Sequence, residues 1–443
     1  MTHDTPSTTS DTTGQRPCEI ADVRGRPILD SRGYPTIEVD LILADGTIAR
    51  ASAPAGASTG AHEAVELRDE GAAFEGRGVT HALRILHTEI RPLLRMRAWN
   101  DLDEVDHALA ALDATPHFAR LGANTAVATS IAACRALAHT QQVPLHRWLA
   151  QLLDTAPALP VPHFNIINGG AHGRGELDFQ EFMIAPVAAA DLEDAIRIGA
   201  EVYHTLGRQL RRRHGTTGLG DEGGFAPPIT DPEVVLDHLV DAIAAAGYGF
   251  GSDGVSIAID AAANHFHHGD GKYTVNGTDY DRDSLSQYYQ SLIDEYPIHL
   301  IEDPFAEDDD LGWKRFHARA GHRIQIVGDD LYVTDVDRIR YGADHGYSNA
   351  VLIKPNQVGT VTGTLNALRL ARARSMTAMV SHRSGETLDT FVADLAVGAG
   401  SGQLKAGAPA RGERIAKYNH LLYLAETDPS LPYGPAHSTA QAG

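Results

Sequence analysis

Cysteine and long apolar runs are scarce in this 443-residue chain. Its two cysteines, Cys18 and Cys134, are too few for a disulfide framework or a thiolate metal cluster. No apolar stretch approaches the about 18 residues of a membrane-spanning helix, so no membrane partner is expected. Residues 1–17 are rich in Ser, Thr and Asp and lack the apolar centre of a secretory signal. We therefore expect a cytoplasmic protein.

Basic residues are fewer than acidic residues, and among the basic residues lysine is rarer than arginine. Acidic residues outnumber basic ones by 58 to 37, which argues against nucleic acid as the main partner. Only five of the 37 basic residues are lysine. Because arginine cannot be deprotonated in proteins and lysine can, a lysine at a chemical position here indicates proton transfer.

The predicted elements divide the chain into two parts. Residues 36–43 alternate apolar and polar like a half-buried strand, Asp45-Gly46 predicts a hairpin turn, and three helical patterns follow over 79–94, 101–112 and 123–139. Strands followed by helices indicate an α+β unit. We predict a disordered tail (1–17), an N-terminal α+β capping domain (18–150), a proline-containing linker (151–162), a catalytic α/β domain (163–430) and a C-terminal tail (431–443).

Short apolar runs in the second part end in polar residues and alternate with helical patterns. These endpoints are Asp260, Glu302, Asp329, Lys354, His382 and Lys405, separated by 23 to 42 residues. Polar residues after successive strands are typical of an α/β barrel, whose active site forms at that face. An open doubly wound sheet shares the local pattern, but would gather its polar residues at one switch point. We predict the barrel.

The endpoints predict a metal site with a base beside it. Asp260, Glu302 and Asp329 would converge, and three such carboxylates hold a hard cation, Mg²⁺ first. The alternative is that each carboxylate caps a helix. Lys354 and Lys405 would lie at the same face, where a lysine beside a cation is a plausible base. The alternative for them is a structural ion pair.

Other motifs are individually ambiguous. Glu222 lies in a Gly-rich GDEGG string that also fits an exposed turn, and Glu181 follows Gln180. Arg383 and Ser384 offer a fork and a hydroxyl suited to phosphate or carboxylate. Three histidines, His265, His267 and His268, could bind a metal, but an exposed loop is the favoured interpretation.

Taken in chain order, the motifs resemble those of the enolase family over residues 18–425. They include GASTG (56–60), QEFMIAP (180–186), GDEGG (220–224), IEDPFAEDD (301–309), SHRSGET (381–387) and GAPAR (407–411). The resemblance implies an α+β cap on an eight-stranded TIM-like barrel, assembled as a homo-oligomer (dimer or octamer). It also implies a glycolytic carbon-oxygen lyase that dehydrates 2-phosphoglycerate to phosphoenolpyruvate. Enolases are an established case of a base working with one or two Mg²⁺ ions.

The resemblance also implies roles for individual residues. The base is Lys354, and the acid is Glu222 with Glu181 beside it. The first Mg²⁺ is held by Asp260, Glu302 and Asp329, and the second by Ser58. Substrate contacts come from Lys405 to the carboxylate, from Arg383 and Ser384 to the phosphate, and from His172, His382, Gln180 and Ala57 around the pocket.

Three loops that resemble enolase lids depart from the usual pattern. The first has Ala55 where Ser is usual, the second reads His172-Gly173-Arg174, and the third has Asn264-His265 for Ser-Glu and is one residue longer. Lids decide what enters a site. This leaves open an enolase-like paralogue of phosphonate biosynthesis, of the carboxyphosphonoenolpyruvate synthase type. A non-catalytic relative is disfavoured.

Overall fold

The computed structural model describes residues 16–56, 60, 62–173 and 177–434. Within them an N-terminal α+β unit packs on a closed α/β barrel, so the predicted fold class is confirmed. Most of the two predicted tails lies outside the described residues. The N-terminal sheet is antiparallel, in the order β1 (Ile20–Leu29), β2 (Pro35–Leu43) and β3 (Ile48–Ser52). Gly46 has a φ of +88°, which glycine adopts without strain in the predicted hairpin turn.

Five helices complete the N-terminal unit. They are α1 (Thr80–Ile85), α2 (Arg91–Leu94), α3 (Leu102–Asp113), α4 (Ala123–Thr140) and α5 (Leu145–Leu153). A π-helical turn, Leu86–Ile90, joins α1 to α2, so the predicted 79–94 helix is continuous but irregular. Helix α4 is buried on nearly every side because it lies between the sheet and the barrel.

Eight strands close the barrel. They are β4 (Val161–Asn168), β5 (Glu181–Ala185), β8 (Ser256–Asp260), β11 (Ile298–Glu302), β12 (Gln325–Gly328), β13 (Ala350–Ile353), β14 (Thr377–Ser381) and β15 (Gln403–Lys405), and β15 pairs with β4. Strand β5 alone runs antiparallel to its neighbours. Its first residue, Glu181, therefore lies at the same end of the barrel as the last residues of the other seven.

Short strands and helices surround the barrel. Strands β6 (Gly218–Leu219) and β7 (Phe225–Ala226) extend the sheet beside β4, and β9 (Lys272–Val275) with β10 (Thr278–Asp281) forms a hairpin. The helices are α6 (Gly170–Gly173), α7 (Leu192–His214), α8 (Pro232–Ala245), α9 (Arg282–Glu295), α10 (Asp310–Ala320), α11 (Val336–His345), α12 (Pro355–Val358), α13 (Val361–Ala373), α14 (Phe391–Ala399) and α15 (Gly412–Thr427). No helix in the described part of the chain combines the length and apolarity needed to span a bilayer.

The N-terminal unit is docked onto the barrel through the start of α13. The amide of Val361 donates to Ser130 Oγ at 2.8 Å, and that of Thr362 donates to Asp106 Oδ2 at 2.9 Å. Both acceptors belong to the N-terminal unit, so it supplies partners for helix amides that would otherwise be unpaired. This contact lies one turn after the segment that carries Lys354.

The barrel interior is layered. A closed group of apolar side chains fills its middle: Met183, Ala258, Leu300, Val327, Ala350, Leu352 and Met379. Polar pairs from the first halves of their strands lie beneath it. Gln403 donates to Gln325 at 2.9 Å, and the Nε2 atoms of His163 and His299 are 3.2 Å apart. The charged strand ends lie above it.

The His163–His299 pair predicts an acid-sensitive barrel. Burial lowers the pKa of His299 to about 4, whereas an unfolded histidine titrates near 6.5. Below about pH 6.5 this histidine binds a proton in the unfolded chain but stays neutral in the folded chain. The free energy of unfolding therefore falls as the pH falls. Between about pH 7 and about pH 5, His299 should lower the free energy of unfolding by about 2 kcal/mol.

The test compares urea unfolding of wild type and His299→Gln at both pH values. The variant should lose about 2 kcal/mol less than wild type on acidification, since its amide does not titrate. Equal losses in the two proteins would show that this imidazole titrates normally.

Candidate active site

The three predicted metal carboxylates lie side by side at the upper mouth of the barrel. Asp260 and Glu302 end adjacent parallel strands and are register partners, and Asp329 follows the next strand. All three are buried, with Glu302 fully inaccessible. The helix-capping alternative does not apply to them, since the described α helices that follow are capped by other residues, among them Asp281 and Asp309.

Both predicted lysines reach these carboxylates. Lys354 Nζ lies 2.5 Å from Asp329 Oδ2. Lys405 Nζ is 2.7 Å from Glu302 Oε2, 2.9 Å from Glu181 Oε2 and 3.5 Å from Asp260 Oδ2. The two ammonium groups therefore balance much of the negative charge of the cluster.

The pKa values follow from this pairing. Burial lowers the pKa of Lys354, but the Asp329 carboxylate outweighs it and the net pKa lies above the ordinary lysine value. Burial also lowers the pKa of Lys405, but the Glu181 and Glu302 carboxylates outweigh burial, and the net pKa lies well above the ordinary lysine value. Burial, with Asp260 next, raises the pKa of Glu302 to about 8. A lysine that acts as a base needs a lower pKa than this, and a cation held by Asp329 would lower it by taking up the charge that now raises the pKa of Lys354.

The donor chemistry of the cluster fits Mg²⁺. Its ligand atoms are all carboxylate oxygens, which Mg²⁺ prefers. Glu302 Oε1 is buried and has no hydrogen-bond partner in the described part of the chain, as expected of an oxygen reserved for an ion. Asp260, Glu302 and Asp329 would hold the first ion. Ser58, implied for the second, lies outside the described residues, as do Ala57 and Arg174.

Two other groups of side chains have possible metal-ligand atoms close to one another. In the ranges that the structure describes, ligand atoms within 4.8 Å of one another occur in His172, Glu181 and Glu222, and in Asp303, Asp329 and Asp330. Asp303 accepts the backbone amides of Asp329 and Asp330, both at 2.9 Å, so it shapes the loop that carries them. The predicted triad is not one of these groups, and Lys405 lies between two of its members, Asp260 and Glu302.

Glu181 and Glu222 form a buried acidic pair. His172 Nδ1 is 3.7 Å from Glu181 and 3.6 Å from Glu222, and Asn165 donates to Glu222 at 2.5 Å. Burial and the neighbouring Glu222 charge raise the pKa of Glu181 well above its usual range. Burial alone would raise the pKa of Glu222 as well, but the interactions with His172 and His382 outweigh burial, and the net pKa of Glu222 is lowered. The pKa values of the two carboxyl groups are therefore pushed in opposite directions, up for Glu181 and down for Glu222.

His382 is fixed in one tautomer by Arg414. Arg414 Nη1 lies 2.6 Å from His382 Nδ1, and because arginine only donates, that nitrogen must accept. The ring proton is therefore on Nε2, which lies 3.4 Å from Glu222 Oε1. Burial lowers the pKa values of both His382 and His172, and the nearby Glu222 carboxylate partly opposes this effect.

The remaining predicted residues line the same cavity. Gln180 donates to Asp260 Oδ2 at 3.1 Å, and Arg383 Nη1 donates to Asn356 at 3.0 Å. Ser384 lies next to Arg383 in the cavity wall. His265 also lines the cavity, while His268 instead bonds Thr274 at 2.9 Å.

Several cavity or supporting residues were not found from the sequence: Glu63, Asn165, Asp303, Asp330, Gln357 and Arg414. Glu63 follows the GASTG string, which is the one signal that could have pointed to it. Arg414 is one of many arginines and lies on a helix, so no local pattern distinguishes it.

The arrangement of these groups suits general acid–base chemistry on an anion. Lys354 follows β13 and Glu181 begins β5, and these strands are four steps apart in a ring of eight. Lys354 and the buried Glu181–Glu222 pair therefore face each other across the cavity. Cationic groups between them, Lys405 and Arg383, suit a substrate with two anionic groups.

Comparison with known families agrees with this geometry. Residues 20–149 match the family model described as the enolase N-terminal domain. Residues 156–431 match the model described as the enolase C-terminal TIM barrel domain. The two matches cover both the cap and the whole barrel, and the chain therefore belongs to the enolase family.

Proposed function

We propose that this protein is a Mg²⁺-dependent lyase that dehydrates 2-phosphoglycerate to phosphoenolpyruvate. The observation that carries the proposal is the placement of Lys354 and the Glu181–Glu222 pair on opposite walls of one cavity. Removal of a proton from one face and departure of a hydroxyl from the other require two such groups.

In this proposal Lys354 takes the proton from C2. The Glu181–Glu222 pair, with Glu222 nearest to His382 and His172, returns a proton to the departing C3 hydroxyl. When bound to Asp260, Glu302 and Asp329, Mg²⁺ supplies positive charge where negative charge develops.

The substrate's two anionic groups would be divided between two parts of the site. Lys405, whose pKa is raised, stays protonated and can bind the carboxylate. Arg383 and Ser384 would bind the phosphate, since a guanidinium offers paired donors to tetrahedral oxyanions. Gln180 keeps Asp260 oriented toward the cavity through its 3.1 Å hydrogen bond.

A second candidate is the paralogue that makes a phosphonate analogue of phosphoenolpyruvate. The observation that favours it is His265, which lines the cavity where the family pattern has glutamate. Exchanging a carboxylate for an imidazole lowers repulsion toward a larger or more anionic reactant.

The test is to follow formation of the enol product by its ultraviolet absorbance with 2-phosphoglycerate and millimolar Mg²⁺. We expect steady turnover that a chelator abolishes and added Mg²⁺ restores. Absence of turnover under these conditions would contradict the proposal and favour the second candidate.

A further inference from the structure

The turn that follows Asp329, a proposed Mg²⁺ ligand, contains two strained residues. Val333 and Thr334 have φ values of +44° and +59°, in the left-handed region that β-branched residues rarely adopt. The backbone carbonyl of Asp329 closes the turn by accepting the amides of Tyr332 at 3.0 Å and Val333 at 2.8 Å. Both strained side chains are buried, and Thr334 is fully inaccessible. Such strain persists only where the surrounding structure enforces it, and it is concentrated at functional sites.

The hydroxyl of Thr334 connects this turn to the segment that carries the proposed base. Its Oγ1 atom accepts the backbone amide of Lys354 at 2.9 Å and donates to Gln357 Oε1 at 2.7 Å. Lys354 directly precedes the short helix α12, and Gln357 lies within it. One buried hydroxyl therefore holds this helix at its start and near its end.

Gln357 carries the connection back to Asp329. Its Nε2 atom donates to Asp329 Oδ1 at 2.9 Å and lies 3.4 Å from Glu63 Oε1. Because ionised carboxylates only accept hydrogen bonds, the amide nitrogen of Gln357 must face them and its oxygen must face Thr334. The Thr334 hydroxyl then has one arrangement, in which it accepts from Lys354 and donates to Gln357. With Oδ1 of Asp329 held by Gln357, Oδ2 is the atom that meets Lys354 Nζ.

We propose that Thr334 is the positioning residue that sets Lys354 against Asp329. Through the amide of Lys354 it fixes the backbone from which the proposed base extends. Through Gln357 it fixes the carboxylate that would hold Mg²⁺. The proposal rests on the proposed function in one respect, namely that Lys354 is the base and Asp329 a Mg²⁺ ligand. Thr334 is fully buried and acts through these partners.

The test compares Thr334→Val, Thr334→Ser and Gln357→Met with a control, Thr364→Val, in the full-length protein. Valine keeps the size and the β-branch of threonine and removes only the hydroxyl, whereas serine keeps the hydroxyl. Gln357→Met breaks the link to Asp329 and leaves the Lys354 amide bonded to Thr334. Thr364, on α13, is also fully inaccessible, and its hydroxyl donates to a backbone carbonyl at 2.8 Å.

The first measurement is the Mg²⁺ dissociation constant, determined by calorimetry without substrate. Thr334→Val and Gln357→Met should each raise it about tenfold, the usual effect of losing a group that orients a metal ligand. Thr334→Ser and Thr364→Val should stay close to wild type. If Thr334→Val lowers the melting temperature but binds Mg²⁺ as tightly as Thr364→Val does, the hydroxyl only stabilises the fold and the proposal is wrong.

The second measurement is kcat for 2-phosphoglycerate at saturating Mg²⁺. Gln357→Met should then recover most of the wild-type kcat, because its defect lies in metal binding. Thr334→Val should remain about tenfold or more below wild type, because the backbone that carries the base has also lost its hydrogen bond. Equal kcat values in these two variants would contradict a role of Thr334 in placing Lys354.

The two measurements separate this proposal from the proposed function. If wild type binds Mg²⁺ but does not turn over 2-phosphoglycerate, the proposed reaction fails, and the Mg²⁺ dissociation constants alone decide the role of Thr334. If Thr334→Val does not fold, Gln357→Met decides in the same way. Unchanged Mg²⁺ binding in that variant would contradict the proposal, and a loss of about tenfold would support it.

Discussion

Lys354→Arg should reduce turnover of 2-phosphoglycerate by about 10²- to 10⁴-fold, the usual contribution of a general base. Arginine keeps the positive charge beside Asp329 but cannot accept a proton at neutral pH. Because the ion pair can still form, the melting temperature and its rise with Mg²⁺ should change little. The measurement is kcat together with thermal unfolding, each with and without Mg²⁺.

The matched control is Lys314→Arg, at an exposed position on α10. It makes the same chemical change away from the cavity and should leave kcat unaltered. A Lys354→Arg enzyme that keeps a tenth or more of wild-type turnover would show that another group takes the proton.

Glu222→Gln should reduce turnover by about 10²-fold or more, because the amide cannot donate a carboxyl proton to the leaving hydroxyl. Asn165, His172 and His382 surround this side chain, and a glutamine of equal size keeps the packing. The loss should therefore be in kcat, while KM for 2-phosphoglycerate changes by only a few-fold.

Glu295→Gln is the control for this variant, since Glu295 is exposed at the end of α9. If Glu222→Gln raised KM strongly and kept kcat, Glu222 would be a binding residue. The proton would then have to come from Glu181 alone.

The barrel and its charged mouth could be predicted because strand ends are marked locally. Each apolar run stops at a polar residue, and a closed parallel barrel brings such residues together wherever they lie in the chain. Asp260, Glu302 and Asp329 are therefore neighbours in the structure as predicted. The resemblance to enolase added the roles, which position alone does not give.

Strand β1 was not predicted, for a physical reason. Its sequence, IADVRGRPIL, contains Gly25 and Pro27 and does not alternate, since it is an edge strand with many partly exposed positions. Pairing with β2 along its whole length makes it a strand. Helix α5 was not predicted either, because its apolar pattern is short and runs directly into the proline-containing segment.

Partners across the cavity could not be predicted either. Glu63 meets Arg383 from 320 positions away, and Arg414 sets the tautomer of His382 from an outer helix. Such contacts depend on how the N-terminal unit and α15 pack on the barrel. Neither composition nor periodicity contains that information.

The division of labour between Lys354 and Glu222 is tested most directly by hydrogen exchange at C2 of 2-phosphoglycerate in deuterated water, followed by proton NMR with Mg²⁺ present. Glu222→Gln should still exchange the C2 proton although it makes little product, because its base is intact. Lys354→Arg should neither exchange nor dehydrate. Exchange that persists in Lys354→Arg and is lost in Glu222→Gln would contradict the account, because it would place the base on the opposite wall of the cavity.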